Sequence, residues 1–355
     1  MSKRRTSRRT TRLIRIGDVP VGGGSPVSVQ SMTKTDTRDW QATARQIKAL
    51  KRAGCDIIRV AVPDMEAAVA LGRIKKASPI PVIADIHFDW RLALEAVRQG
   101  IDGLRINPGN IGAEWKLREV VAAVRDRAIP VRVGVNAGSL EKGLLAKYGH
   151  PCAEALVESA LKEVALLEKF GHSMIKVSLK ASNVPTTVDA YRMFAEKSDY
   201  PLHIGISEAG PPAVGIVKSA VGLGVLLWEG IGDTMRVSLT GNPVQEVRTA
   251  RQILQSLGMA KGAEIISCPT CGRTTIDIQR LADQVEKRLR GIQKPVRVAV
   301  MGCVVNGPGE ASEADFGVTG ANGSGMLFKK GKVLRTVRED ELLDELMKEI
   351  GKWRP

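Results

Sequence analysis

A chain of 355 residues with 43% apolar content can fill two cores, and no apolar run reaches the roughly 18–20 residues that a membrane helix needs. Aromatic residues make up 4%, which argues against a surface that stacks nucleic-acid bases even though the net charge is +15. Five cysteines, an odd number with three clustered, do not form a disulfide framework and point to a reducing cytoplasm. In chain order, the basic residues come first. Lys3, Arg4, Arg5, Arg8, Arg9, Arg12 and Arg15 precede the first acid, Asp18, and residues 1–15 read as a disordered, solvated arm.

From Val27 onward, short β-rich runs alternate with amphipathic helical stretches, the pattern of a parallel sheet. The strand-like runs are 27–32, 56–62, 81–87, 103–107, 130–136, 174–180, 202–207 and 235–239. Eight parallel strands separated by helix-sized segments over about 240 residues predict an α/β fold, a closed (β/α)8 barrel spanning residues 16–260. No other internal repeat and no low-complexity linker is present. The boundary is expected near Gly258–Gly262, followed by a smaller α+β domain over residues 261–355.

Several barrel strands carry polar side chains where a hydrophobic strand should not. With period two, Asp85 shares a face with His87, Arg105 with Asn107, Arg132 with Asn136, Arg236 with Ser238, and Lys176 with Ser178 and Lys180. Most lie near the C-terminal ends of their strands, which form the catalytic mouth of a barrel. Arg59, Arg105, Arg132, Lys176 and Arg236 would surround that mouth with five cations. Burying like charges is costly without an anion, and guanidinium forks match phosphate oxygens bidentately. Glu208 follows the seventh strand and is either a general acid or a charge-balancing carboxylate. Cys55 reads as an inert small hydrophobe, and His150 and His172 as structural.

The second domain is organised around Ser267-Cys268-Pro269-Thr270-Cys271-Gly272 and Met301-Gly302-Cys303, each following a β-branched run. Thr274 and Asp277 are spaced as a capping box, and Leu281, Val285 and Leu289 recur every four residues. Two parallel neighbouring strands would bring both cysteine turns to one sheet edge, and clustered thiolates select zinc or an iron–sulfur cluster. Three thiols leave such a site one ligand short; Glu310, in the Gly- and Pro-rich loop after Cys303, is the nearest candidate. Segments 314–320, 325–328 and 332–337 read as strands, and 339–350 as a closing helix.

Cys268-x2-Cys271, Cys303-x6-Glu310 and the loop Asn306-Gly307-Pro308-Gly309 resemble the cluster domain of the 4-hydroxy-3-methylbut-2-enyl diphosphate synthase family of the methylerythritol phosphate pathway. Gln30-Ser31-Met32-Thr33, Ala84-Asp85-Ile86-His87-Phe88, Leu104 to Asn110, Lys176 to Lys180 and Glu208-Ala209-Gly210 match the same family in the expected order, over roughly residues 12–352. The departure is Lys34, where asparagine is common. The extra inserted domain of plant-type members is absent.

The resemblance implies a [4Fe–4S] cluster on Cys268, Cys271, Cys303 and Glu310. It also implies a cyclic diphosphate substrate bound by Arg59, His87, Arg105, Asn107, Arg132, Asn136, Lys176, Ser178, Arg236 and Ser238, with Glu208 as proton donor. It further implies flavodoxin or ferredoxin as reductant, and a head-to-tail homodimer in which one subunit's barrel meets its partner's cluster domain. Neither a nucleic acid nor a membrane is expected as a partner. Two other readings remain at this level: a basic, zinc-bearing nucleic-acid-binding protein, and a barrel enzyme of another type, such as a pterin-dependent transferase, with a structural zinc.

Overall fold

The computed structural model describes residues 7–290, 292, 294–303, 312–321 and 323–353. It divides into two compact units, Met1–Met259 and Ala260–Pro355.

The first unit opens with a hairpin, β1 (Ile14–Ile16) and β2 (Val19–Val21), paired antiparallel. Its tight turn needs Gly17 at φ +57°, where a side chain would also strike Pro81. Ile14, Ile16 and Val21 bury against Ile57 and Ile83 at the starts of two barrel strands, so the hairpin plugs the floor of the barrel.

The barrel strands are β3 (Ser28–Met32), β4 (Ile57–Ala61), β5 (Val82–Asp85), β6 (Gly103–Ile106), β7 (Val131–Asn136), β8 (Ile175–Lys180), β9 (His203–Ile204) and β10 (Thr234–Met235). All pair in parallel, in the order β8-β7-β6-β5-β4-β3-β10-β9. A single parallel bridge, Val177 to Leu202, joins β8 to the start of β9 and closes the ring. The eight expected strands are all present. The last two are shorter than expected, although Arg236 N–H still reaches the Ile204 carbonyl beyond the regular ladder.

Helices α1 (Trp40–Arg52), α2 (Met65–Ala77), α3 (Trp90–Arg98), α4 (Glu114–Asp126), α5 (Lys142–Tyr148), α6 (Ala153–Lys169), α7 (Val184–Lys197), α8 (Pro212–Trp228) and α9 (Pro243–Ser256) occupy the connections. Five of them start where the sequence offers a side-chain acceptor. Asp39, Asp64, Asp89, Asn183 and Asn242 accept from the N–H of Ala42, Ala67, Arg91, Thr186 and Val244, respectively. Each such cap stabilises a helix start by about 0.5–2 kcal/mol. Because these starts follow the strand ends, they also fix where the mouth loops turn.

The expectation of a disordered arm over residues 1–15 is corrected from Ser7 onward. Arg8 binds Asp233 Oδ1 at 3.0 Å and the carbonyls of Gly232 and Ser25. Arg9 donates to the carbonyls of Ala195, Ser198 and Tyr200, and Arg12 pairs with Asp199 at 2.7 Å while stacking on the Tyr200 ring. The arm is basic because it ties together unpaired carbonyls and acids from segments some 200 residues away, which no local pattern reveals.

The second unit is a five-stranded sheet, β11 (Ala263–Ser267), β12 (Val296–Met301), β13 (Phe316–Ala321), β14 (Ser324–Lys329) and β15 (Lys332–Arg338), in that order. The first three strands run parallel and the last two return antiparallel. Helices α10 (Ile278–Leu289) and α11 (Leu342–Lys352) cover one face. Leu281, Val285, Leu289, Leu342, Leu346 and Ile350 pack there against Val298, Val300, Phe316, Val318 and Leu327. The expected capping box is corrected: Asp277 is itself the cap of α10, accepting from Arg280 N–H, and Thr274 Oγ1 instead accepts from Cys271 N–H.

Candidate active site

Strand alternation turns one set of polar side chains into the barrel. The register pairs Arg105 with Arg132, Arg132 with Lys176, and Asn136 with Lys180 on neighbouring strands. Asp85 sits among them, 3.2 Å from Arg105 Nη1, 3.6 Å from Arg59 Nε and 3.5 Å from His87 Nε2. Arg105 also donates to the Gly134 carbonyl, and its guanidinium fits only because residue 134 has no side chain: a β-carbon there would lie 2.8 Å from Nε. Arg132 donates to Ser178 Oγ at 2.5 Å. Arg59 directs Nη2 and Nε at the Met32 sulfur. Arg236 stands 3.7 Å from Glu246, a buried acid on α9 that also pairs with Lys34.

The site therefore holds Arg59, Arg105, Arg132, Lys176, Lys180 and Arg236 against two carboxylates, Asp85 and Glu246. This imbalance has physical consequences. Burial first, then the neighbouring cations, pushes Arg132, Lys176 and Lys180 well below their ordinary values. Burial lowers Arg59 to about 10, with Asp85 pulling it back up. Desolvation pushes Asp85 up, yet Arg59, His87 and Arg105 together hold its carboxyl far below the usual range. Donors are left over: Arg105 Nε, Arg132 Nε and Nη2, Arg236 Nε and Lys176 Nζ are buried and have no hydrogen-bond partner among the described residues. Unpaired donors of this strength, clustered around one cavity with like charge, suit an anionic guest that supplies the acceptors.

The five expected cations thus all enter the barrel, at different depths. Lys176 is 1% exposed and lies deeper, while Lys180, two residues on, ends β8 beside Asn136 at the mouth. Period two put both lysines on one face without saying which is nearer the guest. Asn107 is buried at the start of the 3-10 turn Pro108–Asn110, Asn136 is half-buried, and His87 is exposed just beyond β5. Ser238 is half-buried in the segment after β10. Glu208 is exposed after β9 with a left-handed backbone, φ +50°. Cys55 is buried and its thiol pushed up to about 12 by desolvation, which leaves it inert. His203 and Glu246 were missed in the sequence, although a histidine and a glutamate amid apolar positions were the available signals.

In the second unit, β11 and β12 pair Ser267 with Val300, which puts the two cysteine turns side by side. Cys268 Sγ accepts from the N–H of Gly302, the residue before Cys303, at 3.2 Å. Thr275 N–H and Oγ1 both reach the Gly302 carbonyl, so the Cys268–Cys271 turn is fastened to the Cys303 turn. Cys271 is exposed, and hydrogen bonding from the Arg273 amide, then Thr274, lowers its thiol. Among the described residues no three His, Cys, Asp or Glu side chains stand close enough to hold a metal ion. Glu310 lies outside the described residues. The donors present are soft thiols on neighbouring turns at one sheet edge, one of them predisposed to ionise, and their chemistry suits a soft metal centre.

Solved dihydropteroate synthase from Yersinia pestis aligns with TM-score 0.50 and 9% identity, covering 69% of this chain and 98% of that one. A truncated 3-deoxy-D-arabino-heptulosonate 7-phosphate synthase from Thermotoga maritima gives 0.51 and 12%, covering 70% and 94%. At these identities the likeness concerns the barrel fold alone. In sequence the chain is 61% identical over 346 residues to 4-hydroxy-3-methylbut-2-en-1-yl diphosphate synthase (flavodoxin) of Thermodesulfovibrio yellowstonii, covering 97% of this chain and 99% of that one. It is 62% identical over 343 residues to the protein of the same name from Geobacter sulfurreducens, covering 96% and 97%. The GcpE TIM-barrel domain matches residues 11–251 and the GcpE C-terminal domain residues 264–352, so the chain belongs to the GcpE family.

Proposed function

We propose that this chain catalyses the flavodoxin-dependent reductive ring opening and dehydroxylation of 2-C-methyl-D-erythritol 2,4-cyclodiphosphate to 4-hydroxy-3-methylbut-2-en-1-yl diphosphate, in isoprenoid precursor synthesis. The surplus of buried, unpartnered cationic donors in the barrel is the observation that carries this reading. Arg59, Arg105, Arg132 and Arg236 hold the diphosphate oxygens, with Lys180 at the mouth and Lys176 beneath. Asn107, Asn136, His87, Ser178 and Ser238 fix its orientation. A largely enclosed, low-dielectric barrel makes each of these charges count for more than in water. Glu208, free of ion pairs among the described residues, delivers a proton so that the departing hydroxyl leaves as water.

Cys268, Cys271 and Cys303, with Glu310 as fourth ligand, would hold a [4Fe–4S] cluster, which would supply the two electrons of the reduction. The printed names of the relatives favour flavodoxin over ferredoxin as the source of those electrons. All five cysteines are free, in keeping with a reducing cytoplasm, and no described helix is long and apolar enough to cross a membrane. A homodimer is supported by Val214, Val217 and Val221, which expose one apolar stripe along α8. A nucleic-acid partner is disfavoured, because many of the basic side chains are committed to the barrel interior and to the N-terminal anchor.

Anaerobically prepared protein should be brown, sediment as a dimer and contain about four irons per chain. Cys303→Ser should lose the colour while keeping the barrel's thermal transition. A colourless protein with stoichiometric zinc would overturn the redox reading and favour a structural metal.

A further inference from the structure

One buried acid of the barrel is left unused by anion binding. Glu163 lies on α6, against the 3-10 turn that follows β6. It is 3% exposed, and among the described residues neither carboxyl oxygen meets a donor in bonding geometry. Three side-chain oxygens crowd over Gly109 in that turn. A side-chain carbon built there would stand 3.3 Å from Asn107 Oδ1, 3.6 Å from Glu163 Oε1 and 3.9 Å from Glu141 Oε1. Asn107 Oδ1 is likewise buried without a partner, whereas Glu141 Oε1 already accepts the Ser159 hydroxyl at 3.0 Å. Three oxygens gather around one point, and for two of them the Gly109 amide is the one donor nearby among the described residues, an unfavourable arrangement that a proton on Glu163 relieves.

We propose that Glu163 is protonated and donates to Oδ1 of Asn107, turning the Asn107 NH2 toward the anionic guest at the mouth. Glu163 is then a positioning residue: it acts through Asn107 and does not touch the substrate. The proposal rests on Asn107 being a substrate ligand. Its surroundings agree. Burial first, then the Glu141 carboxylate ahead of α5, pushes Glu163 up to about 8, while Arg105 on β6 and the Gly109 amide pull the other way. From α6 itself the Ser159 hydroxyl also faces this cluster. Above that value the carboxylate would confront Asn107 Oδ1 with no proton between them, and the amide would lose its fixed orientation.

The test compares the reconstituted, cluster-loaded enzyme with its Glu163→Gln, Glu163→Leu and Asn107→Ala variants. For the unmodified enzyme, KM for the cyclic diphosphate should rise several-fold between about pH 7 and about pH 9, with kcat nearly flat. Glu163→Gln keeps a donor that does not titrate, so its KM should stay near the neutral value and lose this pH dependence. Glu163→Leu should raise KM about tenfold at every pH. Combining Glu163→Leu with Asn107→Ala should add nothing to Asn107→Ala alone. A Glu163→Gln enzyme that keeps the original pH profile would overturn the assignment of Glu163, whether or not the leucine variant folds. An Asn107→Ala enzyme with unchanged KM would instead sink the placement of the guest against Asn107, and the two failures are distinct.

Discussion

Glu208→Gln should lower turnover by about 10²–10⁴-fold while leaving substrate affinity and cluster content intact, the loss expected when a positioned general acid is removed. Two features of the residue argue for this. It is exposed on the loop after β9, so no packing role explains it. It also adopts φ +50°, one of three described non-glycine residues with positive φ, and such a backbone is unfavourable by roughly 1–2 kcal/mol for a residue with a side chain. Glu208→Gly separates chemistry from architecture. It relieves the left-handed backbone, so thermal stability should hold or rise while turnover falls as in the glutamine variant. Single-turnover rates and melting curves on the same preparations decide the matter. Full activity in either variant would remove Glu208 from the mechanism.

Asp85→Asn should destabilise the substrate-free barrel by about 3–5 kcal/mol, because it strands Arg59 and Arg105 in the interior without their shared counter-charge. Inorganic diphosphate should then stabilise the variant more than the unmodified protein, since the anion takes over part of the neutralisation. Denaturant melts with and without the anion measure both effects; equal ligand-induced shifts would mean that the cations do not share one anion site. The pH dependence follows from the direction of the shift. Asp85 titrates below its unfolded value, so its contribution is present above about pH 4 and is lost as pH falls further. Glu163 works in the opposite sense. Its carboxyl is raised to about 8, so the stability it lends is fully present below about pH 4.5 and fades as pH climbs toward 8. The substrate-free barrel should therefore weaken on both the acid and the alkaline side.

Local signals carried far in this chain. Short β-rich runs between helix-sized stretches located all eight barrel strands, because β-rich composition is a property of each strand by itself. Period-two alternation grouped Arg105 with Asn107, Arg132 with Asn136 and Lys176 with Ser178 and Lys180, while which face turned inward was left to the tertiary structure. The Cys268–Cys271 turn and the Cys303 turn were expected side by side because parallel pairing of two successive strands aligns their C-terminal ends, and β11 and β12 pair in that way. Errors arose wherever a partner came from far along the chain. Arg8 and Arg9 read as tail because their acceptors are some 190–220 residues away. Thr274 and Asp277 have the spacing of a capping box, but the hydroxyl was taken by the turn at Cys271.

The sequence by itself determined the βα order, the two units, the cysteine spacing and the sign of the charge in the mouth, since each is written in neighbouring residues. Only the tertiary structure decided which acid neutralises which base, and that Glu163 and Glu141 meet over Gly109. Those pairings join strands, loops and helices through a desolvated interior. There an electrostatic energy depends on distances that no one-dimensional pattern encodes.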